Sequence, residues 1–386
     1  MQIIDKVLCN GCSACLHACP KNCISMAPDK NGFLRPVIDE TKCTNCGLCK
    51  KTCPVLNKKE QQGKVVQAYV IINKNESVRK NSSSGGVFTR IAKHVLSKNG
   101  VVFGALFDEN FKVKHAYIES ENDLIKLQKS KYVQSEIGNT YKEAKNFLDE
   151  GRLVLFTGTP CQIGGLQAYL KKPYDNLITQ DFICHGVPSP KVWQKYVAKK
   201  QEKGTIKNIS FKDKRTGWNK YSISFEYENS TESELASKNS YMLLFLRDII
   251  LRESCYNCAF KDKFRNSDIT LADYWGVENV HPEFSDDKGV SLVVINSKKA
   301  DETLNEIKQD FTCEQTDLDM AIKYNSCMVK SVNVNKNRED FFKRLDKCDV
   351  EKLAKKYTRF SIFKRLEIKI KNIIKKHLNR GEYGQK

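Results

Sequence analysis

A small cysteine-rich α+β domain followed by a larger mixed α/β domain is the fold class this sequence predicts, on three observations. The first 54 residues carry eight cysteines in one pattern written twice. The chain of 386 residues is far longer than that pattern needs. From about residue 65 onward, short apolar runs alternate with segments of helical periodicity. That alternation argues for a mixed sheet-and-helix core rather than a bundle or a sandwich.

The first cysteine copy is Cys9-x2-Cys12-x2-Cys15-x3-Cys19-Pro20, and the second is Cys43-x2-Cys46-x2-Cys49-x3-Cys53-Pro54. This is the run of a bacterial-type ferredoxin domain, here residues 1–60, with two [4Fe–4S] clusters. A tight loop with two residues between thiolates reaches three corners of a cubane. The fourth corner needs a ligand from elsewhere, which the crossed fourth cysteine supplies. Cys9, Cys12, Cys15 and Cys53 are therefore assigned to one cluster, and Cys43, Cys46, Cys49 and Cys19 to the other. Pro20 and Pro54 end the loops and remove a backbone donor. Paired CxxC motifs also suit zinc, but two intact runs favour clusters. Cys23 stands outside the pattern and reads as a spare thiol packed nearby.

The polar stretch 58–64 reads as a linker. After it, 65–72 is a strand, followed by the loop Asn81-Ser82-Ser83-Ser84-Gly85-Gly86 and an amphipathic helix over 87–98 that stops at Asn99-Gly100. Strands are expected at 101–107 and 112–118, and helices around 121–129 and 140–149. A strand over 152–156 runs into Gly158-Thr159-Pro160-Cys161 and a helix over 162–170. The strand 176–183 ends at Cys184-His185-Gly186, and 188–200 reads as a helix. Later strands are expected at 206–211, 221–225, 269–272 and 290–295. These elements divide into residues 61–150 and 151–350 of one large domain, with a tail over 351–386.

Four further cysteines sit beside loop-type residues: Cys161 at a helix mouth, Cys184 at a strand end, and Cys255 and Cys258 as a CxxC pair. One pair plus two distant singles has the count for a third cluster. Two other readings stay open on spacing alone. Cys161 at a helix N-terminus with His185 as base would be a thiol nucleophile. The four could also be buried structural cysteines. Cys313, Cys327 and Cys348 have no ligand spacing and read as core or free thiols. The Ser82–Gly86 loop opens a helix, and its amides and hydroxyls suit a phosphate, although a serine cap on a flexible turn is the commoner reason for such a loop.

Formal net charge is +19. From Glu351 to Lys386, twelve Lys and Arg face three Glu, a surplus of nine. Leu353, Tyr357, Phe360, Phe363, Leu366, Ile370, Ile373 and Ile374 recur there at helical spacing. This reads as a basic amphipathic helix, for an anionic membrane surface, for an acidic partner, or packed on its own protein. Interleaved aromatic surface is scarce, so no nucleic-acid partner is expected. The apolar run near residue 245 is broken by Arg247 and Asp248, so no spanning helix is expected. Ligand cysteines begin at Cys9, which leaves no room for a signal peptide. Thiols spaced for metal imply a reducing compartment. The expected location is cytoplasmic, with contact to the cytoplasmic membrane face through the tail.

Six stretches carry a resemblance. They are Ser82-Ser83-Ser84-Gly85-Gly86-Val87-Phe88, Val102-Phe103-Gly104-Ala105, Ser130-Lys131-Tyr132-Val133-Gln134-Ser135, Gly158-Thr159-Pro160-Cys161-Gln162, Cys184-His185-Gly186-Val187-Pro188-Ser189-Pro190 and Ser267-Asp268-Ile269-Thr270-Leu271-Ala272-Asp273-Tyr274-Trp275-Gly276. In this order the chain resembles the beta-subunit family of coenzyme F420 hydrogenase/dehydrogenase, in the form with a fused N-terminal ferredoxin domain. The resemblance implies FAD, a flavin-binding larger domain and a [4Fe–4S] cluster. It raises the third-cluster reading of Cys161, Cys184, Cys255 and Cys258 above the thiol-enzyme reading. It implies FAD contacts at Ser83, Ser84, Gly85 and Gly86, and less directly at Lys131, Tyr132 and Gln134. The expected activity is an iron–sulfur flavoprotein oxidoreductase passing electrons between a two-electron carrier, a reduced F420-like deazaflavin or an organic substrate, and ferredoxin or another redox partner protein. The alternatives are an electron-transfer subunit with no substrate site of its own, and a Cys161/His185 thiol enzyme.

Overall fold

The computed structural model describes residues 2–58 and 67–358. In the N-terminal part, α1 (Ala14–His17) holds Cys15 and α2 (Leu48–Lys51) holds Cys49, the third cysteine of each run, and β1 (Ile24–Pro28) pairs antiparallel with β2 (Leu34–Ile38). Elements this short cannot bury much apolar surface. The local core, Ile3, Cys23, Ile24 and Cys49, closes around the cysteine loops.

The larger part begins with β3 (Gln67–Asn73), α3 (Glu76–Lys80), α4 (Val87–Ser97), β4 (Val101–Phe107), β5 (Val113–Ile118), α5 (Leu124–Leu127) and α6 (Thr140–Asp149). It continues with β6 (Val154–Thr157), α7 (Pro160–Leu170), β7 (Leu177–Phe182), α8 (Pro190–Gln201), β8 (Ile206–Asp213), β9 (Ser222–Tyr227), β10 (Thr231–Leu235) and α9 (Ser240–Leu246). It closes with β11 (Ile269–Asp273), α10 (Val277–Val280), β12 (Ser291–Ile295), α11 (Lys298–Ile307), β13 (Phe311–Gln315), α12 (Leu318–Tyr324), α13 (Arg338–Arg344) and α14 (Val350–Thr358).

Eight strands form one sheet in the order β13-β3-β12-β11-β7-β6-β4-β5. The centre, β4-β6-β7-β11, is parallel, and the flanking pairs are antiparallel. Parallel central strands are covered on both faces; Val154, Leu155 and Phe156 of β6 are buried, and so is every residue of the antiparallel β12, Ser291–Ile295. Strands on both sides of residue 150 share this sheet. A second sheet, β10-β9-β8, packs with α8, α9 and α14 around Trp193, Phe211, Tyr241 and Phe245.

Several expectations shift in detail. The helix foreseen over 121–129 is one 3-10 turn followed by the four-residue α5. Neither β10 nor α9 has a counterpart in the sequence reading, and the apolar run near 245 is α9, buried on one face. Of the basic tail, α14 covers residues to Thr358 and packs on α9; 359–386 lie outside the described residues, as does most of the expected linker 58–64. No helix among the described residues is long and apolar enough to cross a membrane.

Candidate functional site

The two ferredoxin-type loops fold as the crossed spacing requires. Cys9, Cys12, Cys15 and Cys53 line one pocket with Ile3, Pro36 and Val55. Cys19, Cys43, Cys46 and Cys49 line the other, together with Cys23. Left-handed residues start both short helices: Ser13 (φ 64) before α1 and Gly47 (φ 73) before α2. Burial, then the neighbouring Cys9 and Cys53, push the Cys12 thiol up to about 12. Thiols held protonated this way are the state that metal binding reverses, exchanging protons for iron. The donor set fits two [4Fe–4S] clusters. Cys23 Sγ lies 3.3 Å from Cys19 Sγ, so the spare thiol is inside the second pocket's wall.

A third set of thiols converges against the first. Strands β6 and β7 are parallel neighbours, so the segments leaving their C-terminal ends open on one edge of the sheet, where α/β folds place ligands. The segment after β6 carries Cys161 into the first turn of α7. There Thr159 and Gln162 form a reciprocal capping box, Thr159 N donating to Gln162 Oε1 at 2.9 Å. The segment after β7 carries Cys184. A turn over Glu253–Asn257 supplies Cys255, and Cys258 follows it directly. All four line one cavity of about 180 Å³, with Leu8, Asn10 and Val55 from the N-terminal domain on its rim. Leu8 and Asn10 flank Cys9, and Val55 also lines the first pocket, so the two sites share a wall.

The electrostatics suit an anionic metal centre. Burial raises the Cys161 thiol well above its usual range, with Cys258, Cys184 and Cys255 adding to it. Burial likewise pushes Cys184 up to about 12 and Cys255 up to about 11. Three cations, Arg252, Lys261 and Arg265, line the same cavity. Buried cations are costly unless an anion faces them, and four thiolates around iron would provide one.

The thiol-nucleophile alternative is a correction here. His185 does not serve Cys161: its Nε2 lies 2.6 Å from Asp248 Oδ1, and its Nδ1 lies 3.5 Å from Cys327 Sγ. Cys161 Sγ instead faces Thr159 Oγ1 at 3.1 Å. A thiol raised by burial without its base is a poor nucleophile. Cys327, read from sequence as a core or free thiol, is the cysteine beside His185; no spacing signal could have shown it.

The residues named for a flavin divide. Ser83 Oγ accepts hydrogen bonds from Ser130 N and Oγ at 2.8 and 2.9 Å, joining the Ser/Gly loop to the 130–134 segment. Ser84 Oγ donates to Val290 O at 2.6 Å, and Gly85 N donates to Ser291 Oγ at 3.0 Å. A Cβ at Gly85 would lie 2.4 Å from Ile71 O, so this glycine is needed for contact with the sheet. Gly86 (φ +87) starts α4 with no side-chain cap and packs against Asn73 and Arg79. Lys131 spends its ammonium on the carbonyls of Gln128 (2.7 Å) and Lys126 (3.0 Å). Gln134 sits apart, bonded to Asn10 O at 3.1 Å and to Arg252.

Around Ser84 and Tyr132 the structure adds residues the sequence reading did not single out as site residues. Lys214 donates to Ser84 O at 3.3 Å, and burial, Lys212 and Arg79 push its ammonium down to about 8. Lys131 is pushed down to about 7 by burial and Lys129. Fully buried Lys212 pairs with Asp273 at 2.6 Å and lies over Trp218, Tyr221 and Trp275, whose two indoles stack at 4.9 Å. Tyr132 neighbours Tyr221, and its ring lies 5.1 Å from Phe245, which in turn lies 5.1 Å from His185 at the cysteine cavity. Lys131, Lys212, Lys214 and the stacked indoles thus lie on the same side of the Ser/Gly loop as the residues named for a flavin.

Two models for coenzyme F420 hydrogenase/dehydrogenase, beta subunit, match this chain: the N-term over residues 68–141 and the C terminus over residues 151–320. The chain belongs to this beta-subunit family. Models of the 4Fe–4S dicluster domain match residues 8–57 and 35–84. The family is one of redox-enzyme subunits, and this member carries an N-terminal iron–sulfur domain. No curated protein matches the chain. Among solved structures, a chain of the F420-reducing [NiFe] hydrogenase complex from Methanosarcina barkeri is similar, with 18% identity and a TM-score of 0.49 over 74% of this chain and 95% of that one.

Proposed function

We propose that this member of the family is an iron–sulfur flavoprotein oxidoreductase that moves electrons between a two-electron carrier and a one-electron redox partner protein. Bound FAD would supply the exchange between electron pairs and single electrons, and three [4Fe–4S] clusters the single-electron capacity. The observation that carries the reading is the convergence of Cys161, Cys184, Cys255 and Cys258 in one cavity that shares its wall with the pocket of Cys9, Cys12, Cys15 and Cys53. Thiol sites in contact are what a short electron path needs.

Each part of the chain has its own task. Cys9, Cys12, Cys15 and Cys53 would hold one cluster; Cys43, Cys46, Cys49 and Cys19 the second; Cys161, Cys184, Cys255 and Cys258 the third. Ser83, Ser84, Gly85 and Gly86, with the uncapped start of α4 and Lys214, would hold the flavin's phosphates. Tyr132, Tyr221 and the stacked Trp218 and Trp275 would shape the ring site and exclude water. Lys131 supports the Ser83 contact from behind, and Gln134 serves the cluster side. The carrier is proposed as a reduced F420-like deazaflavin on the family's name alone.

Anaerobic purification with flavin, iron and sulfide quantified, followed by mixing with reduced deazaflavin, NADH, NADPH or reduced ferredoxin, tests this. About twelve irons and one FAD, with bleaching by one carrier, is the expected result. About eight irons and no flavin would overturn it.

A further inference from the structure

Arg252 is wholly buried, with 0% of its surface exposed. Its Nε donates to Cys9 O at 2.8 Å, Nη1 to Gln134 Oε1 at 2.9 Å and Nη2 to Leu34 O at 2.9 Å. Nη2 also points at Cys9 Sγ at 3.8 Å. Gly11 makes room for it: a Cβ there would meet Nη1 at 2.8 Å. The guanidinium lies over the Phe33 ring at 5.5 Å and lines the third cysteine cavity. Among the described residues, no carboxylate forms an ion pair with it, whereas the cavity's other arginine, Arg265, has Asp181 at 3.9 Å.

A buried guanidinium without a carboxylate needs another anion. The nearest negative group on offer is the thiolate of Cys9 and whatever iron it holds. We infer that Arg252 is the charge that sets the reduction potential of the cluster held by Cys9, Cys12, Cys15 and Cys53, keeping it easier to reduce than the cluster of Cys19, Cys43, Cys46 and Cys49. Among the described residues lining the second pocket there is no buried cation; Lys21 on its rim is exposed. A fixed positive charge at hydrogen-bond distance from a ligand sulfur stabilises the reduced, more negative cluster, and it does so strongly in a dry site. The step is one electron in, with no bond made and the guanidinium protonated throughout. The inference rests on the ligand assignments proposed above, which native iron content tests separately.

The experiment is an EPR-monitored redox titration of the anaerobic full-length protein and its Arg252→Gln variant, using dithionite and mediators, so that neither flavin nor partner is required. The signal abolished by Cys12→Ala should move to more negative potential in Arg252→Gln. The expected change is at least tenfold in its reduction equilibrium, about 59 mV for one electron. The signal of the second cluster should stay in place. An unmoved signal at native iron content overturns the inference. If Arg252→Gln loses iron, Gln134→Glu decides: it sets a carboxylate on Nη1 without removing the guanidinium. A shift in the same direction supports the inference, and unchanged potentials overturn it.

Discussion

Single residues here are constrained by what they touch. Cys161 is one of four thiols lining a single cavity. Its conversion to Ser is expected to lower iron by about four per chain, read by iron and sulfide analysis, with the other sites retained. Loss of activity at unchanged iron would return Cys161 to the nucleophile reading. His115 shows a different kind of constraint. Its Nε2 meets Thr157 O at 2.9 Å and its Nδ1 meets Ser135 Oγ at 2.8 Å. Burial pushes its imidazole down to about 4, from 6.5 when free. The folded state therefore holds neutral His115, and the unfolded state takes up a proton first. Its stabilising contribution is whole above pH 6.5 and is lost as pH falls toward 4, ~3 kcal/mol across that range. His115→Gln should flatten the dependence of the urea midpoint between pH 7 and pH 5. An identical slope in both proteins would show that His115 is not the titrating group.

Among elements, α7 does the most for the site. It opens with the capping box that fixes Cys161, and its Gly164 and Gly165 face Phe260 and Cys12. A Cβ at Gly165 would lie 2.9 Å from Cys12 Cβ and 2.8 Å from Tyr141 Oη. The helix can thus approach the first cysteine loop only because this residue has no side chain. Gly165→Val should destabilise the protein by about 1–3 kcal/mol through overpacking, and should release iron from the first pocket before the second. Thr159→Ala removes the cap and should cost about 1 kcal/mol, with iron loss confined to the third set of thiols. Urea titration with iron analysis after desalting reads both. Equal iron loss from every site in either variant would place α7 outside this role.

On the scale of the whole molecule, the N-terminal domain has few buried apolar side chains and only short strands and helices. Its metal must therefore supply much of its folding free energy. Chelating the iron is expected to abolish hydrogen-exchange protection over 2–58 while the eight-stranded sheet keeps its slow core; retained protection over 2–58 would show a domain that folds without metal. The cysteine runs were legible in the sequence because ligand geometry fixes their spacing locally, and so were the central strands β4 and β6, whose apolar runs mark burial on both faces. β10 was not, since Thr231–Leu235 is polar and takes strand form only by pairing with β9. Nor were the partners of His185, whose Asp248 and Cys327 lie far along the chain, nor the cluster of Lys212, Lys214, Trp218 and Tyr221, which carries no local period. Arg252 reads in sequence as one arginine among many. The sequence by itself determined the kind of chemistry, through thiol spacing and the family's motifs. Only the tertiary structure decided which thiols share a wall and which cation is buried between them, because those contacts join residues far apart in the chain and depend on how the sheet's C-terminal edge packs against the small domain.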